Sequence, residues 1–207
     1  MITLFIDTSS SDVSIAIVKD KNILAHITKT IPNQHSVYTV SFIDAVIKQA
    51  NLIPNDIEKI MVVTGPGSFT GVRIGVTIAK VYAYLRKLSI TSVSSLKMMS
   101  ISCEHKYCLS LIDAHHNNYY LGLYDENNNE VIKEQFNTKE RVLEIIKEYN
   151  PTIISDNQIE VGEYKVDKQP LDIVRITNYY QDKESENPHF VLPNYLKLPQ
   201  ALEEKHD

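Results

Sequence analysis

Short apolar blocks bounded by polar turns open the chain. Leu4-Phe5-Ile6 ends at Asp7, and after Thr8-Ser9-Ser10-Ser11 the apolar positions resume in alternation at Val13, Ile15 and Ile17. Runs of this length between turn residues read as strands. Lys19-Asp20-Lys21-Asn22 is a second turn, and Ile23 to Thr30 a third strand. From Ser36 to Asn51 the pattern becomes helical, with Val37, Val40, Phe42, Ile43, Ala45, Val46, Ile47 and Ala50 spread over most of the circumference. Ile60-Met61-Val62-Val63 is a short, largely β-branched run and predicts a buried strand. Val72 to Arg86 contains no proline and predicts a second helix, with Thr70 as its N-cap. Here too the apolar residues, Val72, Ile74, Val76, Ile78, Val81, Tyr82, Tyr84 and Leu85, lie nearly all round. A helix of that kind is covered on more than one side. Either the two helices cover each other in a thick core, or they form a protein–protein surface.

The opening pattern recurs. Leu111-Ile112-Asp113 is followed by Ala114-His115-His116-Asn117 and then by Asn118-Tyr119-Tyr120-Leu121-Gly122-Leu123-Tyr124, and Asp113 aligns with Asp7 without a gap. Asp125-Glu126-Asn127-Asn128-Asn129 is the matching turn, and Glu130 to Phe136 the matching third strand. Two hairpins can look alike by chance. A duplicated strand–Asp–hairpin followed by helices is also the plan of the actin-like and sugar-kinase-like ATPases. That reading makes the chain an α/β protein of the actin-like/sugar-kinase-like (ASKHA) fold: duplicated ribonuclease-H-like lobes, residues 1–103 and 104–207, the second reduced. In such ATPases glycines after each Asp let backbone N–H groups approach phosphate. Neither turn has one here, so Asp7 reads as a turn-capping carboxylate in preference to a metal or water ligand.

Only 6 glycines occur in 207 residues, and four of them are Gly65, Gly67, Gly71 and Gly75. They lie in Gly65-Pro66-Gly67-Ser68-Phe69-Thr70-Gly71-Val72-Arg73-Ile74-Gly75, between the predicted strand and helix. The segment is neither G-x-x-x-x-G-K-[ST] nor G-x-G-x-x-G. A tight turn packing helix on sheet explains it; a phosphate cradle is the alternative, with Asp7, Gly67 and Ser68 as its weak candidates. Gly71, Gly75, Ala79 and Ala83 recur every four residues and form a stripe that admits close packing.

With 21 Lys+Arg, 26 Asp+Glu and a net charge of −5, the chain lacks the balance of an autonomous, tight nucleic-acid binder. Two cysteines exclude a disulfide framework. No apolar run approaches the ~18 residues of a membrane span, and Met1 to Thr8 lacks a basic start, so a cytoplasmic protein without membrane association is expected. Cys103, His105, Cys108, His115 and His116 match no standard zinc spacing. No two histidines are four residues apart, and Ser68 lacks the G-x-S-x-G frame of a hydrolase nucleophile. No cofactor or metal is expected. Ala201 to Asp207 reads as a solvated helix end.

Several segments together resemble the TsaB (YeaZ) family. They are Ile6-Asp7-Thr8-Ser9, His35-Ser36, the Gly65–Gly75 motif, Val93-Ser94-Ser95-Leu96 and Asp113-Ala114 (both read as strand segments), and Pro193-Asn194-Tyr195-Leu196. The chain departs from the family at His115-His116-Asn117-Asn118, where basic residues and a glycine are usual, and Asp156 to Asn187 shows no clear pattern. The resemblance implies a non-catalytic subunit of tRNA threonylcarbamoyladenosine synthesis. Its partner would be TsaD, which transfers threonylcarbamoyl to the adenosine beside the anticodon. The resemblance further implies a heterodimer with TsaD through a four-helix bundle, binding of the ATPase TsaE to the pair, a homodimer when alone, and contact with tRNA only through the complex. On the two helices the expected partner-binding residues are Val37, Val40, Ile43, Ile47, Gly71, Ile74, Gly75, Ile78 and Tyr82. The rival readings are an ATP-dependent small-molecule kinase or ATPase of the same fold, and a self-sufficient homodimeric scaffold.

Overall fold

A computed structural model of the chain describes residues 1–183 and 185–197. The expected helix end at 201–207 lies outside them. Strands β1 (Ile2–Asp7), β2 (Asp12–Lys19) and β3 (Asn22–Thr30) form an antiparallel meander. Helix α1 (His35–Gln49) leads to β4 (Lys59–Gly65), helix α2 (Phe69–Arg86) to β5 (Ser89–Ser94). Both β4 and β5 run parallel to β1, giving the order β3-β2-β1-β4-β5. This is the ribonuclease-H-like arrangement. Helix α3 (Ser95–Ile101) then crosses to a second sheet of β6 (Tyr107–Asp113), β7 (Asn118–Asp125), β8 (Glu130–Thr138) and, after helix α4 (Lys139–Tyr149), β9 (Thr152–Ser155). Its order, β8-β7-β6-β9, repeats the first without a fifth strand. A small hairpin, β10 (Ile159–Val161) and β11 (Tyr164–Val166), and helix α5 (Ile173–Tyr179) follow.

The layers follow from strand alternation. Leu4, Ile6, Val13, Ile15 and Ile17 on one face of the first sheet meet Ile43, Val46 and Ile47 of α1 and Val72, Val76, Ala79 and Ala83 of α2. Phe5, Ala16, Val18, Met61 and Val63 on the other face meet Met98 and Ile101 of α3 and Ile173 and Ile176 of α5. Leu96 and Met99 of α3 turn instead toward Cys108, Ile112 and Tyr124 of the second sheet. The far face of that sheet takes Val142, Ile145 and Ile146 of α4, spaced as one helical stripe. So α3, fewer than ten residues long, is the shared layer between two sheets. Val93-Ser94-Ser95-Leu96, expected as strand, is the junction where β5 ends and Ser94 caps α3, accepting from the Lys97 amide at 3.4 Å.

The second half of the chain does not pack as one lobe. Helix α5 lies on the first sheet, and further on Asn194 N–H donates to Thr64 O at 2.7 Å while Lys80 Nζ donates to Val191 O at 2.9 Å. Half-buried Glu134 of β8 ties the halves together: Ser94 Oγ (2.5 Å), Tyr124 OH (2.8 Å) and Asn194 Nδ2 (3.3 Å) all donate to its carboxylate.

The start of α2 corrects one expectation. Ser68, not Thr70, is the N-cap, its Oγ accepting from Gly71 N–H at 3.2 Å. The small-residue stripe faces inward. Thr8 Oγ1 donates to Gly71 O at 2.7 Å, and a Cβ on Gly71 would stand 2.1 Å from Thr8 O, one on Gly75 2.3 Å from Thr8 Oγ1. The obstacle at Gly71 is backbone, which cannot rotate away. Gly71→Ala is therefore expected to lower stability by about 1–3 kcal/mol. A urea midpoint unchanged from wild type would contradict this packing.

Candidate partner face and interlobe cleft

The two duplicated turns meet across one cleft. Ser9 to Ser11, Gly67 to Phe69, Ile112 to His115 and Asp156 to Ile159 line it together. On the first-sheet side, Asp7 is buried, and its Oδ1 accepts from Ser9 N–H (2.9 Å) and Ser9 Oγ (2.7 Å). Burial is the largest influence on this acid and pushes it above the ordinary aspartate value; the bonds from Ser9 act the other way. On the other side, Asp113 Oδ1 accepts from His115 N–H at 2.8 Å, and His115, His116 and Asn117 are all left-handed (φ 63°, 54° and 59°). Both aspartates thus close their own turns, as their position at a strand end leads one to expect.

The glycine-rich turn is occupied from within the chain. Ser68 N–H donates to Ser9 O at 2.6 Å, and a Cβ on Gly67 would stand 2.2 Å from that same oxygen. The backbone that would approach a phosphate approaches Ser9 instead, and the Ser68 hydroxyl is committed to the cap of α2.

The helices α1 and α2 present apolar side chains outward. Val37 is 64% exposed, Val40 58%, Val81 53%, Tyr84 63% and Leu85 70%. A groove of about 450 Å³ between the helices is lined by Val40, Phe69, Ile74 and Ile78, with Ser36, Thr70, Arg73 and Thr77 around them. At its end the Arg73 guanidinium lies 3.6 Å from the centre of the Phe69 ring, and Arg73 Nε donates to Tyr195 OH at 2.6 Å. Of the expected contact residues, Val37 and Val40 are exposed, while Ile74, Ile78 and Tyr82 are half-buried, the last two packed against the core. Tyr82 OH also donates to Pro54 O at 3.1 Å. Ile43, Ile47, Gly71 and Gly75 are buried within the chain. The reason is helical phase: the α1 positions facing the sheet are Thr39, Ile43, Val46 and Ile47, and the stripe of α2 faces Thr8. Val81 and Leu85 continue the face of Ile74 and Ile78 at helical spacing, with Tyr84 beside them.

The cysteine and histidine residues near 105 do not converge. Cys108 is buried, its thiol pushed up to about 12 by desolvation, while His105 Nε2 lies 3.1 Å from both Ser100 Oγ and Ser100 O. Among the described residues no three His, Cys, Asp or Glu side chains gather as a metal site, and no helix is long and apolar enough to cross a membrane.

The family model described as TsaD, tRNA N6-adenosine threonylcarbamoyltransferase, matches residues 22–201. The TsaB protein of tRNA threonylcarbamoyladenosine biosynthesis from Bacillus subtilis is 29% identical, over 97% of this chain and 96% of its own. Its counterpart in Escherichia coli is 31% identical over 61% of this chain and 56% of its own. YeaZ from Pseudomonas aeruginosa superposes with a TM-score of 0.80 at 20% identity, covering 94% of this chain and 99% of that one. The chain belongs to the TsaB (YeaZ) family. Membership ties it to tRNA threonylcarbamoyladenosine biosynthesis. A second Pseudomonas aeruginosa structure, also at TM-score 0.80, is described as similar to a peptidase. In this TsaB-family chain the serine of the glycine-rich turn is a helix cap.

Asp156, at the edge of the cleft, carries no motif and was not singled out from the sequence. Burial first, and the charge of Asp7 among lesser causes, raises its carboxyl from 3.8 to about 6. The folded chain therefore favours the protonated form. This group's contribution to stability is complete below about pH 4 and is lost as pH rises through 6. Asp156→Asn is expected to gain up to about 3 kcal/mol over wild type at pH 8 and nothing near pH 4. Urea unfolding at the two pH values checks it; an equal difference at both would contradict the burial argument.

Proposed function

We propose that the chain is the non-catalytic partner of the TsaD transferase, pairing with it through the outer faces of α1 and α2. The carrying observation is the row of exposed apolar side chains, Val37, Val40, Val81, Tyr84 and Leu85, on two adjacent helices. Contiguous apolar surface of this kind marks an interaction site. The groove between the helices admits side chains from a second helix pair, with Arg73 stacked on Phe69 at its end. In this reading a second copy of the chain covers the same face when TsaD is absent, the ATPase TsaE joins the assembled pair, and tRNA is met only through the complex. The net charge of −5 agrees with a subunit that does not hold tRNA by itself. The kinase or ATPase reading needs free backbone N–H groups at the turns, and Ser68 N–H is already given to Ser9 O.

Two outcomes test this. The purified chain, given tRNA, ATP, threonine, bicarbonate and the adenylate-forming enzyme, is expected to make no modified adenosine until TsaD is added; product without TsaD would overturn the reading. Val40→Glu is expected to leave the melting curve nearly unchanged, since the side chain is exposed, and to weaken pairing with TsaD by more than about tenfold. The cause is an unpaired charge carried into a joint surface. Undiminished pairing by calorimetry would move the interface elsewhere.

A further inference from the structure

A cavity of about 190 Å³ adjoins the cleft, sharing Ser9, Ser10, Ile112 and Asp156 with it, and lies between the first sheet and the elements of the second half. Its floor is apolar: Met98 and Met99 of α3, Ile112 of β6, Leu171, and Ile173 of α5. Its polar wall is a row across the first sheet, where Asp7 pairs with Ser14 and Ser14 with Thr28, joined by His26, and Asp156 also lines the cavity. Ser95 lines it too. Its Oγ is buried, with no hydrogen-bond partner among the described residues. A buried hydroxyl left unpaired is costly, and a ligand atom that meets it recovers that cost.

The charges facing the cavity are unbalanced. Asp12 of β2 is paired with Lys168, which follows β11. His26 of β3 is held below its usual value by burial, and its Nε2 is shared by Ser14 Oγ (3.0 Å) and Thr28 Oγ1 (2.7 Å). Among the described residues no salt bridge joins a cation to Asp7 of β1 or to Asp156 beyond β9; the charge of Lys168, already paired with Asp12, lowers Asp156 less than burial raises it. The charge of Asp7 is felt at Asp156, so the two carboxyls act on one space. For scale, a dry apolar cavity of about 150 Å³ takes up benzene.

We propose that this cavity binds a small organic ammonium ion. Asp7, Asp156 and the Ser95 hydroxyl receive the ammonium group, and a short carbon chain lies against Met98, Met99 and Ile112. Anions are repelled by the carboxylates, and neutral analogues leave them uncompensated.

The test is a titration of the full chain at pH 7.5 and constant ionic strength with 1-butylammonium chloride, followed by calorimetry and amide NMR. 1-Butanol and sodium butyrate are the neutral and anionic analogues, and magnesium chloride is the inorganic control. Butylammonium is expected to saturate, to bind roughly 10- to 100-fold more tightly than butanol, and to shift amides of Ser95 to Met99 and of Asp156. Butyrate and magnesium are expected to leave those amides in place. Asp156→Asn, which the burial argument makes at least as stable as wild type, is expected to reduce butylammonium binding to the butanol level. Ser95→Ala is expected to reduce it several-fold. Equal binding of amine and alcohol, unchanged amine binding in Asp156→Asn, a response to magnesium but not to amine, or no saturable binding at all would each overturn the proposal.

Discussion

The close approach of the Thr8-Ser9 turn to the first turn of α2 is the contact on which the rest of the structure depends. It joins the first strand to the second helix through Thr8 Oγ1 to Gly71 O and Ser68 N–H to Ser9 O. It leaves no room for a Cβ at Gly67, Gly71 or Gly75. A glycine-poor chain concentrates its glycines where two backbones meet. Seating α2 this deeply on the sheet fixes which of its side chains turn outward, and with α1 beside it Val40, Ile74 and Ile78 line one groove between the helices.

The same contact bears on chemistry. A helix N-terminus behind a glycine-rich turn is a ready anion site when its N–H groups point at open space. Here the chain's own carbonyl sits at that place, and each aspartate of the duplicated turns is bonded to its own loop. The fold keeps the two-turn architecture while its local hydrogen bonds are spent on packing.

Much of this was legible in the sequence. The repeat at Asp7 and Asp113 becomes two hairpins, the first closed by Asp7 opposite Ser14 and the second, one residue tighter, by Asp113 opposite Tyr119, and the glycine spacing reports a close packing event. What it does not report is the other partner. Gly71 and Gly75 recur as a stripe whether the neighbour is a second protein or Thr8, and only the fold decides for Thr8. Helical phase divided the α1 residues in the same way: Val37 and Val40 point out, Ile43 and Ile47 in, although all four are aliphatic. Helix α3 was missed because it is short and buried between two sheets, so its apolar residues show no amphipathic period. Asp156 had one available signal, a carboxylate at the end of a short strand: it directly follows β9, as Asp7 ends β1. The hairpin β10–β11 and helix α5 are too short for periodicity to register.

On the proposed function, the outer faces of α1 and α2, and not the cleft, meet TsaD. The most direct measurement is amide hydrogen exchange of the full chain with and without purified TsaD, read peptide by peptide. Added protection is expected across residues 35–49 and 69–86, with the turn at 113–118 and the strand at 152–155 unchanged. Protection confined to the cleft segments, with α1 and α2 exchanging as in the free chain, would contradict it.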